Sequence, residues 1–85
     1  MNSAFLLKLA GRFAAHRNYS LSTVGMYATK DGAFFQRLKA GGDCTTRRAE
    51  RIGQWFSDHW PDDLDWPEGV ARPEPTAPAR RGDAA

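Results

Sequence analysis

Ser22-Thr23-Val24-Gly25-Met26-Tyr27-Ala28-Thr29-Lys30-Asp31-Gly32-Ala33-Phe34-Phe35-Gln36-Arg37-Leu38-Lys39-Ala40-Gly41 is the stretch on which the reading of this chain turns. Ser22 or Thr23 is a natural cap for a short helix holding Val24, Met26, Tyr27 and Ala28. Thr29-Lys30-Asp31-Gly32 interrupts it. Asp31 stands where a carboxylate caps a second helix, running through Ala33 to Ala40, and Gly41-Gly42 ends that helix, since glycine takes a positive φ at the least cost. Phe34 and Leu38 lie four apart and Phe35 and Leu38 three apart, which puts them on one side. Ala33, Gln36, Arg37 and Ala40 are left for the other side.

Outward from this pair the pattern stays helical. Upstream, Asn2 or Ser3 can cap a helix of about four turns in which Phe5, Leu6, Leu9, Ala10 and Phe13 form a stripe at spacings of three and four. Asn18-Tyr19-Ser20-Leu21 breaks it. Downstream, Thr45 or Thr46 caps a helix whose stripe is Ala49, Ile52, Phe56 and Trp60, and Trp60-Pro61 stops it. The expected fold is all-α, a small four- to five-helix bundle.

All five prolines fall between Pro61 and Pro78. The segment Trp60 to Pro67 carries two Trp and Leu64, costly to leave wet, so it is expected to fold back on the helices. One domain over residues 1–67 and a disordered Pro/Ala/Arg-rich tail over 68–85 are the expected organisation.

A chain of 85 residues holds one small domain, which excludes barrel and doubly wound enzymes. Cys44 is the single cysteine, so no internal disulfide is expected. The longest apolar run, Ala4 to Leu7, is too short for a membrane span or a signal peptide, and the reading is a soluble cytoplasmic protein. The net charge of +2 is unevenly spread: residues 1–61 carry nine basic and four acidic side chains, and residues 62–85 carry three basic and six acidic ones. A basic body precedes an acidic end.

Catalysis finds little support. His16, His59 and Cys44 have no zinc-like spacing, and Asp58, Asp62, Asp63 and Asp65 lack the order of an EF-hand. Neither Gly-rich nucleotide-binding pattern is present. The expectation is a non-enzymatic chain with no metal, no cofactor and no small-molecule substrate.

Two short helices joined by a tight break and followed by a longer amphipathic helix are the parts of a helix-turn-helix. The stretch Ser22 to Gly41 resembles the helix-turn-helix of lambda-repressor-like (Xre-type) transcriptional regulators, with Gly25, Asp31, Phe35, Leu38 and Gly41 in the family's order. Thr45 to Phe56 is similar to the helix that follows. The family usually has alanine at Gly25 and glycine at Thr29; a second register takes Ala28 as the small residue and Gly32 as the turn glycine, and starts the recognition helix near Phe34.

The resemblance implies sequence-specific binding of double-stranded DNA by a small regulator, phage-like and acting as a repressor, with Asp31–Ala40 in the major groove and two copies pairing as a homodimer. Gly32, Ala33, Gln36 and Arg37 are the expected base contacts: small residues let the helix enter closely, Gln36 suits adenine, and Arg37 suits guanine or a phosphate. Ser22, Thr23, Lys30, Lys39, Thr45, Thr46, Arg47 and Arg48 are the expected phosphate contacts. Gln36 and Arg37 also fit the solvated face of any short helix. The alternative from another class is a protein-binding adaptor of the same fold, using Trp55 or Trp66 where exposed and the Pro-rich acidic end, with Trp60 in the core stripe.

Overall fold

Asn2 supplies the first boundary, its Oδ1 accepting from the Phe5 amide at 2.8 Å, and α1 runs Ser3–Arg17. The structure, a computed structural model, describes residues 1–76. Asn18 ends α1 in the left-handed region at φ 62°, and the Tyr19 amide then donates to the Ala14 carbonyl at 2.8 Å. α2 is Leu21–Thr29, α3 is Phe34–Lys39 and α4 is Thr46–His59. Among the described residues there are four helices and no strand, so the chain is all-α.

Two boundaries differ from expectation. Ser20, not Ser22 or Thr23, caps α2, accepting from the Thr23 amide at 3.1 Å. Leu21, read from sequence as part of the break, thereby becomes helical and packs against the core. The second difference is α3: it departs from the register that starts it at Asp31 or Ala33 and begins at Phe34, where the second register has its start. Asp31 does not cap it: its Oδ1 accepts from the Ala33 amide at 3.0 Å, closing a turn, and its carbonyl accepts from the Phe34 amide at 3.1 Å.

The reason lies in α2. A Cβ on Gly25 would stand 2.8 Å from the Asp31 carbonyl oxygen, so the turn crosses α2 at a distance only glycine permits. Thr29 reinforces the crossing, donating from Oγ1 to the Gly25 carbonyl at 2.8 Å and accepting from the Asp31 amide at 3.1 Å. The expected start of α3 is consumed in this turn, and Phe34, Phe35 and Leu38 are delivered to the interior.

The core is built largely of rings. Phe13 meets Trp55, Phe56 and Trp60 at centroid distances of 5.5, 5.7 and 6.1 Å, and Phe35 meets Phe56 at 6.1 Å. Leu6, Leu9, Val24 and Ile52 fill the space between.

The chain after α4 returns over this core. Trp60 donates from Nε1 to the Leu64 carbonyl at 2.7 Å, and Trp66 packs on Trp60 and on Phe5 of α1 while donating to the Val70 carbonyl at 2.8 Å. The contacts do not stop at Pro67. Arg72 donates to the carbonyl of buried Ser57 at 2.6 Å and to its Oγ at 3.1 Å, Ser57 donates to the Pro73 carbonyl, and Thr76 donates twice to the Asp58 carboxylate at 2.7 Å. Residues 68–76, which the sequence reading gave to the tail, therefore lie along α4 without regular structure; residues 77–85 of that expected tail lie outside the described residues.

Two stability outcomes are expected. Gly25→Ala gains helix propensity but forces its methyl onto a backbone oxygen, and should lower the urea-unfolding free energy by about 1–2 kcal/mol net. Ending the chain after Pro67 strips the polar groups of Ser57 of their partners, and should cost about 1–3 kcal/mol in the same measurement.

Candidate nucleic-acid interface

α3 shows a two-sided character set by its apolar spacing. Phe34, Phe35 and Leu38 are buried, and Ala33, Gln36, Arg37, Lys39 and Ala40 are exposed. The helix ends where Gly41 takes φ 106° and the Gly42 amide donates to the Arg37 carbonyl at 2.8 Å. Gln36 makes no side-chain hydrogen bond among the described residues.

Arg37 is differently placed. Its side chain is 59% exposed, yet its guanidinium is engaged with the carboxylate of Asp31, Nη1 lying 3.5 Å from Oδ1 and Nη2 bonding Oδ2 at closer range. The Arg37 hydrogen bond, helped by the Ala33 amide and by the charges of Arg37 and Arg48, holds the Asp31 carboxyl below its ordinary range; the same bond raises the Arg37 pKa. The sequence reading missed this pair. Its six-residue spacing belongs to no helical neighbour rule, and Asp31 had been read as a cap.

Gly32 is half-buried, the Ser22 Oγ lying 3.1 Å from where its Cβ would be. Of the four expected base contacts, Ala33, Gln36 and Arg37 therefore lie on the open face of the turn and α3, while Gly32 packs against the first turn of α2.

The expected phosphate contacts are spread over the ends of α2, α3 and α4. Thr45 caps α4, accepting from the Arg48 amide at 3.1 Å, and Thr46, Arg47 and Arg48 follow it on the exposed first turn. Arg48 reaches back toward α3, its guanidinium 5.0 Å from the centre of the Phe34 ring. It joins Arg37, Gly42, Cys44 and Thr45 around a depression of 410 Å³ between the end of α3 and the start of α4. A wider, shallow groove of 840 Å³ on the neighbouring surface is lined by Tyr27, Lys30, Arg47, Arg48 and Arg51, among others. Lys30 owes its place there to its left-handed conformation, φ 65°, at the end of α2. Ser22 is exposed and Thr23 half-buried on the first turn of α2, and Lys39 is exposed at the last residue of α3. Arg51 and Tyr27 belong to the groove but not to the expected contacts; Arg51 lies one helical turn beyond Arg47 and Arg48.

The Trp side chains are turned to the protein itself. Trp60 is buried, and Trp55 and Trp66 are half-buried, Trp55 stacking on His59 at 4.4 Å. The exposed large apolar residues are instead Tyr19, Met26 and Tyr27. Among the described residues no three His, Cys, Asp or Glu side chains are grouped to hold a metal ion, and no helix is long and apolar enough to cross a membrane.

The depressed Asp31 pKa fixes the sign of one pH effect. The stability this pair contributes is present above the ordinary aspartate pKa and is lost as the pH falls through the lower folded-state value. Arg37→Ala should move the Asp31 titration, followed by carboxyl NMR shifts, upward toward the ordinary value. No protein-family model, no curated protein and no solved structure gives a significant match to this chain.

Proposed function

We propose that this chain is a small, non-enzymatic regulator that binds double-stranded DNA in the manner of the lambda-repressor-like family, α2 and α3 forming its helix-turn-helix. The observation that carries the reading is the exposed face of α3, Ala33, Gln36 and Arg37, set beside the basic first turn of α4. A helix that buries one side on aromatic residues and offers an amide and a guanidinium on the other suits the edges of base pairs in the major groove. Arg47, Arg48, Arg51 and Lys30 supply positive charge on the adjoining surface for the phosphates. Gly32 acts here as a packing residue of the turn rather than as a base contact.

Two further parts of the reading rest on the same face. A second copy pairing as a homodimer would match a palindromic site, and repression would follow from occupancy of that site. The adaptor reading has less support, because Trp55 and Trp66, its candidate anchors, are half-buried against His59 and Trp60.

Selection of bound sequences from a random duplex pool tests the proposal, with recovery of a common sequence expected and a palindrome expected if two copies bind. Replacing Gln36 and Arg37 together by Ala should abolish preference for that sequence and leave circular dichroism nearly unchanged, since neither side chain is buried, with melting lowered only slightly by loss of the exposed Arg37–Asp31 pair. Arg47→Ala and Arg48→Ala should each weaken binding to all duplexes alike and reduce the salt slope by about one. Intact preference in the double variant, or an affinity indifferent to salt, would overturn the reading.

A further inference from the structure

Asp31 is tied down through both its backbone and its carboxylate. Its Oδ1 accepts from the Ala33 amide at 3.0 Å, its backbone amide donates to Thr29 Oγ1 at 3.1 Å, and its carbonyl accepts from the Phe34 amide at 3.1 Å. That carbonyl also rests against Gly25, so the residue is fixed relative to α2 and to the first turn of α3. From this anchor both carboxylate oxygens meet the Nη1 and Nη2 end of the Arg37 guanidinium.

A guanidinium has five N–H donors in one plane, arranged so that two separate edges can each grip a pair of acceptors. Asp31 occupies the edge between Nη1 and Nη2. The edge formed by Nε–H and the remaining Nη2 hydrogen makes no bond among the described residues, and Arg37 keeps 59% of its side-chain surface exposed. Two parallel donors on a restrained plane match the O6 and N7 of guanine in the major groove. A phosphate also accepts such a fork, but the Asp31 carboxylate beside it repels the full charge of a phosphate far more than a neutral base edge.

We infer that Asp31 is a positioning residue for base recognition: it holds Arg37 edge-on, so that the free fork of the guanidinium takes a guanine rather than the nearest phosphate. The inference rests on the DNA-binding reading above and adds to it the base that is read and the residue that enforces the choice.

The test uses the full chain, the duplex recovered by selection, duplexes with each guanine of that sequence replaced in turn, and a scrambled duplex, all at one salt concentration. Asp31→Asn retains an oxygen for the Ala33 amide and removes the charge that holds Arg37. It should lower discrimination at one guanine position about tenfold and bind the scrambled duplex more tightly, since a carboxylate facing the backbone is gone. Arg37→Lys, which keeps the charge but has no fork, should lose discrimination at the same position. In an Arg37→Ala background, Asp31→Asn should alter no base preference. Discrimination left intact by Asp31→Asn overturns the inference, and so does a loss spread equally over all positions, which makes Arg37 a phosphate contact. A wild-type chain with no preference among duplexes overturns the DNA-binding reading itself, an outcome distinct from preference that survives Asp31→Asn.

Discussion

The approach of the Asp31 carbonyl to Gly25 is the contact on which the arrangement of α2 and α3 depends. The oxygen lies 2.8 Å from where a Cβ on Gly25 would stand, so any other residue would push the turn away from the helix. Because the turn is close, Phe34 and Phe35 begin their helix already directed into the core. Their burial in turn leaves Ala33, Gln36 and Arg37 outside. One packing constraint between two backbone segments thus sets which side of a six-residue helix meets solvent. So short a helix has little stability of its own, and its orientation is imposed by the side chains it buries.

The aromatic core answers a second constraint, that of size. A chain this short has a high surface for its volume, and large rings let few residues bury much area. Phe13, Phe56 and Trp60 share this duty at the junction of α1 and α4. The returning segment extends it: Trp66 covers Phe5 and Trp60, and Arg72, Pro73 and Thr76 satisfy polar groups of Ser57 and Asp58 along α4. Proline, which prevents this segment from forming a helix, does not prevent its carbonyls and neighbouring side chains from bonding to one. The expectation of a tail from residue 68 treated lack of regular structure as lack of contact, and over residues 68–76 those are different things.

Electrostatically the chain places its cations where they have different tasks. Arg37 is committed to Asp31, whereas Arg47, Arg51 and Lys30 line the open groove together with Arg48, which also lies over the Phe34 ring. Residues counted alike in a net charge are therefore unequal as ligands for an anion. The one held by a carboxylate is fixed in direction and suited to discrimination, and those that line the groove are suited to attraction.

The sequence by itself determined the all-α class and the apolar faces of the helices, because spacings of three and four leave few ways to bury Phe5, Phe13, Phe35, Ile52 and Phe56. It determined equally that Gln36 would be outward and that the first turn of α4 would be basic. Only the tertiary structure chose, of the two registers, the start of α3 at Phe34, and decided that Gly32 faces Ser22, that Arg37 pairs with Asp31 and that the chain is still anchored at Thr76. The physical reason is common to all four: each depends on the distance between groups brought together by packing. Periodicity along a chain reports which side a residue takes, but not how near that side comes to its neighbour.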